Sequence, residues 1–193
     1  MFEELFQNIE SFTSISPNSK AELSKILEVK KYKSGEMICK IDDKPTKVYF
    51  LLSGFVRGFA SSSKGSTYNR AIYTKGEFMA SLSSLITKSK AILALECLTD
   101  CETTEADYEE FIKLGNKYPD IARIYTKVIE ESFVKLEQSN IQLATMSATE
   151  RYLVLRKRIP KIDNYISQYQ IASHLGITPI QLSRIRKSLL NLK

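Results

Sequence analysis

The chain has 193 residues, 43% of them hydrophobic and 26% charged, and a formal net charge of +6. This is ordinary globular composition, with length for one sizeable core and a small second domain. A membrane span is excluded, because no segment approaches the ~20 apolar residues it needs; three scattered cysteines, Cys39, Cys97 and Cys101, exclude a disulfide framework.

The N-terminus, Met1-Phe2-Glu3-Glu4-Leu5, is acidic and lacks the layout of a signal peptide, so a cytoplasmic protein is expected. Residues 1 to about 30 predict helices, with Leu5, Phe6 and Ile9, then Leu23, Ile26 and Leu27, recurring at three and four. Ser16-Pro17 opens the second helix. From Val29 to about Asp107 the period becomes that of strands. Runs such as Lys47-Val48-Tyr49-Phe50-Leu51-Leu52 and Phe55-Val56-Arg57-Gly58-Phe59 are broken by Ser53-Gly54, Lys64-Gly65 and Lys75-Gly76. Short strands punctuated by glycine turns predict an antiparallel sandwich or barrel. Ser61-Ser62-Ser63 reads as a hairpin tip.

A short helix is expected around Tyr108 to Lys113, and after Pro119 a long one from Asp120 to about Thr145. The long helix carries two apolar stripes. Ile121, Ile124 and Val128 form one, suited to covering the barrel. Tyr125, Ile129, Ser132, Leu136, Ser139, Leu143 and Met146 form the other at steps of four and three, the spacing of a two-helix dimer seam. Burial of this second stripe inside the monomer is the alternative.

Ser147-Ala148-Thr149-Glu150 is a capping box that starts a further helix to about Arg158, closed by Pro160. Two more boxes follow, Ser167-Gln168-Tyr169-Gln170 and Thr178-Pro179-Ile180-Gln181, with Pro179 at a first helical position and Gly176 in the turn between. Ile171, Ala172, Leu175, Ile177, Leu182 and Ile185 fall where two crossed helices bury shared faces. This is the pattern of a helix-turn-helix. Residues 147–193 hold nine Lys/Arg against two Asp/Glu, whereas the first 146 hold nineteen against twenty, so the positive charge arises entirely beside this motif. Such a block is the footprint of nucleic-acid binding.

On a helical wheel Leu182, Ile185 and Leu189 define the buried side of the last helix, and Ile180, Ser183, Arg184, Lys187 and Asn191 the opposite side. Arg184 has the fork that matches guanine O6 and N7. Ile180 suits a thymine methyl, Ser183 a base or phosphate, and Lys187 a phosphate. Arg186 points sideways, and either contacts DNA or is only a surface or intramolecular partner. Gln168 and Tyr169, with Thr178, complete the candidate DNA contacts, since first helices of this motif cross the backbone.

No enzyme is expected. The single histidine, His174, sits inside the motif, so no Ser-His-Asp or Cys-His group can be built elsewhere. Cys97 and Cys101 lack the further ligands that zinc or an iron–sulfur cluster needs, and read as small buried hydrophobes.

Together, Val48-Tyr49-Phe50-Leu51-Leu52-Ser53-Gly54-Phe55-Val56-Arg57, Gly76-Glu77-Phe78, Ala148-Thr149-Glu150-Arg151-Tyr152, and Ile171 to Pro179 with Leu182-Ser183-Arg184-Ile185 resemble the Crp/Fnr family of bacterial transcription regulators. The resemblance implies an α+β fold in three parts. Residues 1–118 would be a cyclic-nucleotide-binding-like antiparallel β-barrel (a double-stranded β-helix) flanked by helices, 119–146 a dimerisation helix and hinge, and 147–193 a helix-turn-helix domain. It implies a homodimer seamed through Tyr125, Ile129, Ser132, Leu136 and Leu143. The implied partners are double-stranded DNA, RNA polymerase and a small-molecule effector.

Two departures qualify the resemblance. Cyclic-AMP-binding members grip ribose with a Gly-Glu pair and phosphate with an Arg-Ser pair; here Ala80-Ser81 stands at the first place, and no arginine occurs between Arg70 and Arg123. A ligand at this turn would meet Phe78, Ala80, Ser81, Lys88, Ser89 and Lys90, which offer charge but no bidentate fork. Cyclic AMP in the usual mode is therefore not expected as a cofactor. No N-terminal cysteine cluster or haem ligand set is present either. The second departure is that the sequence stops at Lys193, without the family's β-hairpin wing. The expectation is a sequence-specific, homodimeric transcription regulator. The rivals are a small-molecule-binding module with a vestigial DNA-binding end and a phosphate-ligand enzyme, which lacks any nucleophile–base pair.

Overall fold

A computed structural model describes residues 2–62 and 65–190. Ser63, Lys64, Asn191 and Lys193, used in the sequence reading, lie outside these. Backbone contacts divide the chain into two compact units, one of residues 1–58 and 72–133, the other of 59–71 and 134–193.

The first unit opens with α1 (Glu3–Glu10) and α2 (Pro17–Ser24). Ser16 caps α2 by accepting from the Ser19 amide at 3.1 Å, and Pro17 at the first position needs no donor. α2 ends before Ile26 and Leu27, which the helical pattern had included; both still pack on the helical core. Eight strands follow: β1 (Glu28–Tyr32), β2 (Met37–Cys39), β3 (Lys47–Ser53), β4 (Phe55–Ser61), β5 (Thr67–Thr74), β6 (Phe78–Met79), β7 (Ala94–Cys97) and β8 (Cys101–Asp107). They form two four-stranded sheets, ordered β1-β8-β3-β6 and β2-β7-β4-β5. The pairings β1–β8, β2–β7, β3–β6 and β3–β8 are antiparallel.

Alternation along the strands decides the two cores. Tyr49 and Leu51 of β3 turn to one face, joining Tyr32, Cys39, Val56, Leu95, Cys97 and Cys101 from both sheets. Phe50, between them, turns to the other face and packs with Leu5, Ile9, Ile15, Leu23, Ile121 and Ile124. All three cysteines are buried free thiols. The strand-lined core also holds a charge. Glu105, 2% exposed, accepts from Tyr32 Oη at 2.5 Å and Thr103 Oγ1 at 3.1 Å, and Lys47 Nζ neutralises it at 3.1 Å. Gly54, at φ 90° in the β3–β4 turn, is required twice over: a Cβ there would collide with the Asp100 carbonyl and the Cys101 sulfur.

A helix within the strand region, α3 (Leu82–Thr87), was not foreseen, because its six residues are too few to show a helical period. α4 (Tyr108–Lys117) runs past Lys113 to the extended Tyr118 that precedes Pro119. α5 (Pro119–Thr145) then spans 27 residues, about 40 Å at 1.5 Å per residue. The division between the units falls within α5, after Phe133.

The second unit continues with α6 (Ala148–Arg158), α7 (Gln168–Leu175) and α8 (Pro179–Leu190). Phe59 on β4 and, from the helices and their connections, Tyr152, Leu155, Ile159, Ile162, Ile166, Ile171, Ala172, Leu175 and Leu182 are its buried apolar residues among those described.

Candidate nucleic-acid interface

Local chemistry fixes where α7 and α8 begin and turn. Ser167 caps α7 through the Gln170 amide at 3.4 Å. Thr178 and Gln181 form the full reciprocal box on α8, at 3.2 and 2.8 Å. The box at Ser147 and Glu150 is likewise complete, at 3.3 and 2.7 Å. Between α7 and α8, Gly176 adopts φ 67°, and the next amide, of Ile177, bonds back to the Ala172 carbonyl at 3.0 Å. A side chain would have room there but not that backbone angle, so the glycine is conformational.

Arg151 ties the unit together. One guanidinium nitrogen donates to the Met146 carbonyl just beyond α5 at 2.6 Å, and another to the Leu175 carbonyl at the end of α7 at 3.0 Å. Both acceptors are carbonyls near helix C-termini, which no further turn satisfies. Asp163 is a second junction. It accepts from Tyr152 Oη at 2.8 Å and lies 3.5 Å from Arg186 and 3.9 Å from Arg156. Arg186 thus has an intramolecular partner.

On α8, Leu182 is fully buried, while Ile185 and Leu189 are half-buried beside it. Ile180, Ser183, Arg184 and Lys187 are all exposed, Ile180 by 67%. Neither Arg184 nor Lys187 has an ion-pair partner among the described residues. The face therefore holds two uncommitted cations, a hydroxyl and an exposed apolar group along about two turns. Gln168, Tyr169 (57% exposed) and Thr178 are exposed as well.

Along α5, Ile129 is half-buried, and Ser132, Leu136 and Leu143 are exposed. Tyr125 is differently placed: its hydroxyl is 3.1 Å from that of Tyr108, and its ring packs near Tyr108 and Phe111 of α4. Phe133 (63% exposed) and Ile141 are more exposed than Leu136 and Leu143 of the stripe, and sequence reasoning passed over them because they lie off the 4-3 pattern.

The residues proposed around a ligand go to different surroundings. Phe78 packs against Phe50 and Phe12, with ring centroids 4.9 and 6.5 Å apart. Ser81 is buried, while Lys88, Ser89 and Lys90 are exposed, Lys88 lying 3.3 Å from Glu109. Among the described residues no group of three His, Cys, Asp or Glu is placed to hold a metal ion, and no helix is long and apolar enough to cross a membrane.

Three residues escaped sequence reasoning: Asn69, Ser173 and Arg151, whose roles depend on contacts distant in sequence. Asn69, for one, bonds to Gln170 across 101 positions.

Residues 29–118 match the cyclic nucleotide-binding domain family. No curated protein sequence matches the chain. Among solved structures, FixK2 from Bradyrhizobium japonicum superimposes with a TM-score of 0.75 at 21% identity, over 86% of each chain. The c-di-GMP responsive global regulator CLP from Xanthomonas campestris gives 0.72 at 18% identity, over 91% of this chain and 92% of its own. A transcriptional regulator assigned to the Crp/Fnr family in Eubacterium rectale gives 0.73 at 16%, over 91% and 84%. Residues 29–118 are thus similar to a cyclic nucleotide-binding domain, and the chain shares the fold of these solved regulators.

Proposed function

We propose that the chain is a sequence-specific, DNA-binding transcription regulator of Crp/Fnr type, acting as a cytoplasmic homodimer. In this reading the two sheets close into a sensor barrel, α5 seams the dimer, and α7 and α8 are the helix-turn-helix. α8 enters the major groove, Arg184 reads a base edge, and Ser183 and Ile180 contact neighbouring bases. Lys187 holds a phosphate, and Gln168, Tyr169 and Thr178 meet the backbone. RNA polymerase is the expected partner on DNA.

The observation that carries this reading is the exposed face of α8, with Arg184 and Lys187 uncommitted while Arg151, Arg156 and Arg186 have partners within the unit. A basic residue engaged internally is stabilising the fold; one left free on a rigid, capped helix is available to a polyanion.

The effector is proposed to be something other than cyclic AMP bound in the usual mode, because Ala80-Ser81 supplies no ribose carboxylate and Lys88 is drawn to Glu109. The Xanthomonas relative is described as responsive to c-di-GMP, so this fold is not tied to one nucleotide. Selection of bound oligonucleotides from a random duplex library tests the function. Enrichment of one motif is expected; recovery of unenriched sequence would favour a small-molecule-binding module whose DNA-binding end is vestigial.

A further inference from the structure

β5 is the last strand of its sheet, so one row of its backbone donors and acceptors lies on the sheet edge. At Asn69 this edge is covered by side chains of α7. The Asn69 amide donates to Ser173 Oγ at 3.1 Å, and Ser173 Oγ in turn donates to the Thr67 carbonyl at 3.2 Å. The Asn69 carbonyl accepts from His174 Nδ1 at 3.1 Å. Its side-chain nitrogen donates to both the carbonyl and Oε1 of Gln170, at 3.0 and 2.7 Å. Asn69 is 0% exposed. Every donor and acceptor just named points at one face of α7, at positions 170, 173 and 174, which share a side of the helix.

Two details mark the contact as a dedicated one. Gln170 stands where a reciprocal capping box would turn its amide back to Ser167, yet its Oε1 accepts from Asn69. His174 is held neutral: burial pushes its imidazole down to about 4, outweighing the favourable bond to the Asn69 carbonyl, and the charge of Arg158 adds to the depression. Nδ1 must then carry the proton, because its partner is a carbonyl. The hairpin of β4 and β5 continues into the sheet that carries Arg57, Leu95 and Cys97, so hydrogen bonds to the hairpin give α7 a second tie besides the chain through α5.

We propose that the grip of Asn69 on Gln170, Ser173 and His174 is an autoinhibitory clasp, which restrains α7 and with it the DNA-reading helix until the hairpin lets go. This rests on the DNA-binding reading above. α7 carries Gln168 and Tyr169, the proposed backbone contacts, two residues and one residue before the clasped Gln170. A dimer on a two-fold operator must also place its two α8 helices about 34 Å apart. A clasped α7 takes its position from the hairpin instead. Because the grip is made of hydrogen bonds, water can replace it on release at small net cost, unlike an apolar seam.

The test compares the full-length protein with Asn69→Ala and Asn69→Asp on an operator duplex from the selection experiment, by fluorescence anisotropy, alongside amide hydrogen exchange of α7. Asn69→Asp keeps the size but turns the donor into a carboxylate facing two oxygens of Gln170. Both variants should bind about five- to a hundredfold more tightly, the range of typical allosteric coupling, with faster exchange in α7. Damage to the fold lowers affinity, so a gain cannot come from misfolding. Tyr68→Ala, at the exposed neighbouring position, should match the parent. Unchanged or weaker operator binding by both Asn69 variants overturns the clasp and leaves the DNA-binding reading intact. Absence of any DNA binding by parent and variants overturns both.

Discussion

The phenol of Tyr152 on α6 donates to the carboxylate of Asp163 at 2.8 Å, and Asp163 also faces Arg186 of α8 at 3.5 Å. A buried aromatic ring thus links α6 to α8 through one acidic residue. A hydrogen bond to a charged group contributes about 1.5–3 kcal/mol. Tyr152→Phe should lower Tm by several degrees, at about 2–4 °C per kcal/mol for a chain of this size. Arg186→Ala, removing a partly exposed ion pair, should cost at most about 1 kcal/mol. Calorimetry showing the reverse order would mean that the ion pair, and not the phenol, holds α8 in place.

Alkaline pH should loosen both units. Burial, reinforced by the bond to Asp163, raises the Tyr152 hydroxyl to about 12; burial and the Tyr125 hydroxyl do the same for Tyr108. An unfolded tyrosine titrates near ~10. The folded state thus holds its phenol protons more tightly, and this stabilisation is complete below pH ~10 and lost as the pH rises toward about 12. Tm should be level up to the first value and fall between the two. A Tm unchanged to pH ~12 would contradict it.

Much of this fold was legible because its signals are local. Capping boxes at Ser147 and Thr178, Pro17 and Pro119 at helix starts, and Gly54 and Gly176 in turns each need only neighbouring residues. The exposed face of α8 followed from periodicity alone. What stayed hidden depends on distant partners: α3, too short to show a period; Tyr125, whose stripe position did not reveal Tyr108 as a neighbour; and Asn69, an ordinary polar strand residue until α7 is placed beside it.

Ile129→Asp with Leu136→Asp should convert a dimer to monomers that bind operator weakly. Leu136, Leu143, Phe133 and Ile141 leave a large apolar surface exposed on a single chain. A partner helix would bury it, and an unpaired carboxylate there is costly. Sedimentation reads the outcome. An unchanged mass would remove this seam, and Phe133→Asp then tests the neighbouring face.

Cyclic AMP should bind poorly. Its ribose and phosphate would meet Ala80-Ser81 and a lysine drawn to Glu109, with no guanidinium fork between Arg70 and Arg123. Calorimetry with cyclic AMP should give no saturating heat at micromolar ligand. Binding of one per subunit at that level would show that Lys88, Ser89 or Lys90 substitutes for the missing groups, and Lys90→Ala would then abolish it.

Specificity should separate two neighbouring cations on α8. A symmetric dimer presents two α8 helices, so the selected site should be a palindrome with half-site centres about 34 Å apart. Arg184→Ala should cost roughly 1–3 kcal/mol on that site and relax preference at one base pair per half-site, because a bidentate contact discriminates against the wrong base. Lys187→Ala should weaken binding to all sequences alike and flatten its salt dependence, since one phosphate contact fewer releases fewer counterions. Affinities for the selected and a scrambled duplex across a salt series distinguish the roles. If Arg184→Ala weakens both duplexes equally, Arg184 is a phosphate contact and the base reader must be sought at Ile180 or Ser183.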